Sequence, residues 1–329
     1  MVDRHLQLVE RAYDLEIAKP EWLAEVGRPL RESLAGAASC FAFEVDRRDG
    51  TSVLGRHDAE DPEVITQLRR SFAEVPPPIL RAFFAAPLEA KSSADLLAEA
   101  GFDIDATVLP DAYARVGFKD VFSISAFDPL GGGVIFGIGL RERVSPSPEQ
   151  RVMWMQVAAH VAAGFRLRRQ LEGRAAIDQA TAVLRPDGTL DHADSDLTPD
   201  LRGLLSEAVR RVEQARTRGR PTQEALELWQ ALIAGSCSLV DHFIGGGRRC
   251  YVAVRNAPKI ARSKALSRRE AEVITYIASG TGTRAVAYAL GVDLATVRGY
   301  LRTAMAKLGI RSRAELISLH AMLSEPPKP

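Results

Sequence analysis

Between Leu266 and Leu316 the chain is cut into short helices whose ends are written into the sequence, and no other stretch leaves so little freedom of fold. Ser267 stands three residues before Glu270, a capping box, just ahead of Val273, Ile274 and Ile277 at core spacing. Gly280 stops that helix. Thr283 to Leu290 predicts a second helix with Val286 and Leu290 inward, ended at Gly291, which tolerates the left-handed cap conformation. Asp293 then caps a third helix, Leu294 to Leu308, ended by Gly309. Helix, glycine turn, helix at this spacing is a helix-turn-helix.

At about 100° per residue, Val297, Leu301, Ala304 and Leu308 share one face of the third helix and must be core. The opposite face carries Ala295, Gly299, Arg302, Thr303 and Ala306, flanked by Thr296, Arg298 and Lys307, with no acid among them. Small residues let a helix sit deep in the major groove, and arginine can donate two hydrogen bonds to guanine. Arg298 and Arg302 are the expected base readers; Arg268, Arg269, Lys307 and Arg311 are the expected phosphate contacts. Ser312 and Glu315 form a second capping box that opens a fourth helix bearing Leu316, Ile317, Leu319 and Leu323, an expected dimer surface.

Leu266 to Leu316 resembles the DNA-binding domain of LuxR-type transcriptional regulators. The resemblance rests on Leu-Ser-x-Arg-Glu-x-Glu-Val at 266 to 273, Gly280, Val286-Ala287, Leu290-Gly291, Thr296-Val297-Arg298 and the string Lys307-Leu-Gly-Ile-Arg-Ser-Arg-Ala-Glu-Leu316. It implies that the third helix enters the major groove of double-stranded DNA, that Thr296, Arg298 and Lys307 touch it, and that the fourth helix pairs two subunits. Ala285 and Tyr300 stand where the family often has Glu and His. Gly299 inside the recognition helix costs roughly 1 kcal/mol relative to alanine.

Charge agrees with a DNA-binding tail on a different kind of body. The whole chain balances 43 Lys plus Arg against 42 Asp plus Glu, a net +1. From Ala261 onward, however, 11 basic residues face 5 acidic ones, leaving 32 basic and 37 acidic before it: +6 behind −5. The 329 residues predict two or three domains. Three cysteines without metal-ligand spacing argue against a disulfide framework or a zinc cluster. The start lacks the apolar stretch of a signal peptide, and no apolar run reaches the roughly 20 residues of a membrane helix, so a cytoplasmic protein is expected, and the resemblance implies a homodimer.

The expected fold is multidomain: α+β sensory domains, antiparallel sheets with flanking helices, then an all-α helix-turn-helix domain. Residues 1–172 combine amphipathic helices, strands around Cys40 and Phe122, a hairpin at 120–140 and a long helix to about Leu171. In element order they resemble a GAF-type sensory domain. Residues 173–256, with the Val-Leu-Arg-Pro-Asp-Gly strand and turn, an acidic loop at Asp191 to Asp196 and a late hairpin, resemble a PAS-type domain. A linker at 257–264 leads to the DNA-binding domain at 265–325.

Such domains hold a small ligand or a protein partner. Trp22, Phe41, Phe43, Phe122 and Trp154 are the candidate sensory pocket, and core packing explains them equally well. The glycine runs at 131–133 and 245–247 lack the Lys-Ser/Thr of a phosphate cradle and read as hairpin turns. Cys237 and Cys250 are candidates to approach each other across the late hairpin. No nucleophile, base and orienting group occur together, so neither an enzyme nor a cofactor is expected.

Overall fold

A computed structural model describes residues 4–18, 21–46, 53–84, 88–127, 132–171, 175–195, 197–216, 222–229, 237–244, 248–255, 266–308, 312–313 and 316. The linker at 257–264, Gly131, the glycine run at 245–247, Gly309, Arg311, Glu315, Ile317, Leu319 and Leu323 lie outside these residues.

The chain opens with α1 (Arg4–Tyr13) and α2 (Trp22–Glu32), then β1 (Ala37–Asp46) and β2 (Val53–Ala59). Helix α3 (Pro62–Glu74) starts where the Asp61 side chain accepts from the Glu63 amide, and Val75 leaves it in an extended conformation. The prolines at 76–78 thus end one helix and open the next, α4 (Pro77–Phe83). Strand β3 (Leu88–Ser92), helices α5 (Ser93–Glu99) and α6 (Leu109–Ala114), strands β4 (Asp120–Phe127) and β5 (Gly132–Leu140), and the long α7 (Pro148–Leu171) complete the first unit. Its five strands are antiparallel in the order β2-β1-β5-β4-β3.

Alternation along the strands divides the apolar residues between two cores. Cys40, Ala42, Phe122, Ile124, Phe136 and Ile138 face α1, α2 and α7, while Phe41, Phe43, Val45, Val121 and Ile135 face α3, α4 and α6. Phe41 lies across Gly137 and Phe118 across Gly139, positions where a Cβ would overlap the rings. The middle of helix α7 is buried on every side, each residue from Gln156 to Phe165 being buried. Its sheet-facing side meets Phe122 through Trp154. At Gly164 the backbone of α1 comes so close that a Cβ would overlap the Ala12 carbonyl.

The second unit pairs β6 (Ala180–Leu184), β7 (Leu190–Ala193), β8 (Cys237–Ile244) and β9 (Arg248–Arg255) in the antiparallel order β7-β6-β9-β8, with α8 (Pro199–Ala215) and α9 (Thr222–Trp229) between. Gly188 takes φ +83° in the Pro-Asp-Gly turn. The expected acidic loop is corrected here: Asp191 lies in β7 and pairs with Arg185 at 2.7 Å, and Asp194 accepts from Thr181 at 2.8 Å. The cysteines also separate. Cys237 sits opposite Arg255 and Cys250 opposite His242, five positions apart along β8, or about 17 Å. No disulfide joins any of the three cysteines.

Helices α10 (Arg268–Ala278), α11 (Thr283–Leu290) and α12 (Leu294–Leu308) follow at the spacing expected of a helix-turn-helix. Gly280 and Gly291 take φ of +88° and +63°, so both glycine stops hold the left-handed geometry a side chain would resist.

Candidate nucleic-acid interface

Both halves of the predicted capping box at α10 are made. The Glu270 amide donates to Ser267 Oγ at 3.3 Å, and the Ser267 amide donates back to Glu270 Oε2 at 2.6 Å. The same carboxylate receives Lys307 Nζ at 2.8 and 2.9 Å, tying the end of α12 to the start of α10. Those hydrogen bonds hold the Glu270 carboxyl below its ordinary range, Lys307 contributing most. Glu272, buried beside it, is clasped by Arg268 and Arg269, each at 2.9 Å. Three of the expected phosphate contacts therefore already have carboxylate partners. Each keeps donors to spare: Lys307 uses two of its three hydrogens, and each guanidinium has five.

Helix α12 begins on Asp293, which accepts from the Thr296 amide at 2.7 Å and its hydroxyl at 3.0 Å and is kept below the usual carboxylate range by them. Val297 and Ala304 are fully buried, as the helical wheel requires. Ala295, Arg298, Arg302, Thr303, Ala306 and Lys307 are exposed. Among the described residues Arg298 and Arg302 have no hydrogen bond or ion pair, so both guanidiniums are open to a ligand. Gly299 lies between them with nothing within 4 Å of where a Cβ would stand. An exposed, acid-free helix face with two unengaged guanidiniums suits base edges in a major groove. Leu316 is buried against the main core.

The sequence pattern of the bacterial regulatory proteins of the luxR family matches residues 264–320. Residues 264–320 are a luxR-family DNA-binding domain. That match points to a regulator rather than an enzyme. No curated protein matches the chain. Among solved structures, Escherichia coli SdiA is similar at 12% identity over 98% of this chain and 96% of that one, with a TM-score of 0.32, too low to equate the two folds.

Ahead of the luxR-family domain, the five candidate pocket residues are all buried but not together. The first sheet separates them: Trp22, Phe122 and Trp154 belong to the core under α7, Phe41 and Phe43 to the other. A strand places neighbouring side chains on opposite faces, so Phe41 and Phe43 turn away from the core that holds Cys40 and Ala42. Phe41 and Phe43 border a small cavity of about 30 Å³ with Phe72, Phe84, Tyr113 and Ser123. Tyr113 supplies its polar end, with its hydroxyl 2.9 Å from Ser93 Oγ. The signal for this face was present in β1 as the period-two run Phe41, Phe43, Val45; Phe72 and Tyr113 come from helices whose partner sheet face only folding reveals.

A second, open cleft of about 1210 Å³ lies between α1 and α2 on one side and β8 and β9 on the other. Its charges answer one another: Arg216 bonds Glu213 at 3.0 Å, also pairs with Asp241 and Tyr251, and lies over the Trp229 ring. Among the described residues no group of His, Cys, Asp and Glu is arranged to hold a metal ion, and no helix is long and apolar enough to cross a membrane.

Proposed function

We propose that this chain is a cytoplasmic transcription regulator that binds DNA as a homodimer, under the control of a signal received by residues 1–256. The observation that carries the reading is the exposed face of α12, where Arg298 and Arg302 have no partner among the described residues and no acid interrupts the surface. Arg298 and Arg302 read bases, with Gly299 and Thr303 admitting the helix to the groove. Arg268, Arg269, Lys307 and Arg311 hold phosphates, and Ile317, Leu319 and Leu323 pair the subunits so that two recognition helices meet adjacent half-sites, Leu316 being taken up by the chain's own core.

Selection from a random duplex pool tests the assignment. Arg302→Ala is expected to flatten the selected base preference at one position, a loss of roughly 1–3 kcal/mol of discrimination. Lys307→Ala is expected to weaken all sequences alike and lower the salt slope by about one. Identical selection and salt dependence in both variants would remove the reading. A second variant separates folding from recognition. In Gly299→Leu the new Cβ meets nothing within 4 Å, and the change replaces a poor helix former, a gain of up to roughly 1 kcal/mol in the helix. It should melt no lower than the native protein and bind duplex roughly tenfold more weakly, as a bulky group holds the helix off the bases; undiminished binding would place Gly299 away from the groove.

For the signal, a small apolar ligand behind Phe41 and Phe43 would require their cavity to widen. Its small volume, enough for about one water, favours a second reading in which a protein partner alone controls the front half. Native mass spectrometry of the purified protein distinguishes them through a co-purifying small molecule.

A further inference from the structure

Five consecutive residues of β8, Leu239 to Phe243, border the open cleft between α1–α2 and the second sheet, whereas β9 lends it only Arg249 and Tyr251. Alternate residues mark one face of a sheet; an unbroken run means that the cleft also follows the side of the strand. That side is open, because β8 ends the order β7-β6-β9-β8 and no strand pairs with it there among the described residues. Every second residue of an antiparallel edge strand turns its amide and carbonyl outward, where another chain can pair with them.

Two further observations say what fits beside it. Trp229 borders the cleft at 1% exposure, yet its indole Nε1 has no acceptor among the described residues. A buried N–H without a partner is a cost that the carbonyl of an occupant relieves. The wall opposite β8 is acidic, lined by Glu10, Asp14, Glu16, Glu25 and Glu32. Arg4, Arg11 and Arg28 pair with Glu32, Asp14 and Glu25 at 3.8, 3.4 and 2.8 Å, which leaves two carboxylates of this wall in excess. On the other wall Arg216 and Arg249 are matched by Glu213 and Asp241, and Glu10 reaches Arg216 at 3.5 Å. The remaining cation, Arg168, is spent on the backbone carbonyls of Asp14 and Ile17. At about 1210 Å³ the cleft is also larger than the roughly 300–1,000 Å³ that suits a small molecule.

We propose that this cleft binds an extended, basic peptide segment of another protein, added as a strand along β8, with a carbonyl accepting from Trp229 and its cations toward α1 and α2. Main-chain pairing supplies the affinity and the acidic wall selects the charge. Phe243, 56% exposed on β8, offers apolar contact to a side chain of the added strand. The proposal rests on the reading that residues 1–256 receive a signal, and it gives that signal a chemistry.

The test titrates the full chain with the hexapeptide Lys-Val-Lys-Val-Lys-Val-amide, labelled at its N-terminus and read by fluorescence anisotropy. Two controls accompany it: the same peptide with Glu for every Lys, and the lysine peptide N-methylated at every backbone amide, which keeps the charge and cannot pair as a strand. The lysine peptide is expected to bind about tenfold more tightly than either control, the equivalent of ~1.4 kcal/mol. It should slow backbone hydrogen exchange in β8 and move one of the three tryptophan indole N–H signals in the NMR spectrum, the one missing from Trp229→Phe. Equal binding by all three peptides, binding by none, or slowed exchange confined to other strands overturns the proposal. Duplex binding is measured on the same protein without peptide. A chain that binds the peptide but no duplex keeps this site and loses the DNA-binding reading; a chain that binds duplex but no peptide does the reverse.

Discussion

Acidification from pH 7 to 5 will destabilise this protein by about 2 kcal/mol through His160 alone. Burial pushes the imidazole down to about 3, and no charged group offsets it. Its hydrogen-bonding neighbours are the hydroxyls of Tyr13 and Tyr288, both themselves raised by burial. An unfolded chain takes a proton on this residue near pH 6.5, whereas the folded one stays neutral until about 3. Between those values the unfolded state binds the extra proton, so stability falls as pH falls, by at most about 1.4 kcal/mol per unit. Carboxylates with depressed values, such as Glu270 and Asp293, lose stability in the same direction but at lower pH. Across the window from 6.5 to 5 the carboxyls of Glu10, Asp58 and Asp120, raised by burial, act in the opposite direction, and a His160 variant shares them. Denaturant unfolding across that window, in the native protein and in His160→Gln, checks the claim: the variant starts less stable but should show the shallower slope. Equal slopes would mean that His160 is not held neutral by burial.

Gly164→Ala is the second large effect. In an exposed helix this change stabilises by up to roughly 1 kcal/mol. Here the added Cβ would overlap the Ala12 carbonyl of α1, backbone that has no rotamer to retreat into. Overpacking of this kind costs typically ~1–3 kcal/mol or more and outweighs the propensity gain, so the melting temperature should drop by about 5 °C. The displaced α1 carries Tyr13, so the hydrogen bond to His160 should loosen as well. Gly203→Ala in α8 is the control, since nothing lies within 4 Å of its Cβ position, and it should melt slightly higher. A rise in both variants would show that α1 moves freely over α7.

Residues 266–308 were legible because their signals are local. A capping box, a glycine at positive φ and a stripe at helical period each act within one or two turns, and Ser267, Gly280, Gly291 and Val297 do in the fold what their spacing predicts. Strand β2, Val-Leu-Gly-Arg-His-Asp-Ala, passed unread because an edge strand paired on one side needs no apolar run. Helix α5 and strand β3 are too short for a period to register. The five candidate pocket aromatics share a chemistry but not a sheet face, and which face each helix or strand presents is set only when the sheet assembles.

By itself the sequence determined that the tail is a helix-turn-helix with a basic, acid-free recognition face, and that it follows a body of opposite charge. Caps, turns and charge are properties of neighbouring residues, so no distant contact was needed to read them. The partners of the buried polar groups were decided only by the tertiary structure. His160 lies 128 positions from Tyr288 and 147 from Tyr13, Lys307 lies 37 from Glu270, and Tyr288 reads in sequence as an ordinary helix residue. Which face of α11 is covered depends on a sheet and a long helix that bury their surfaces at the same time, a cooperative outcome with no local code.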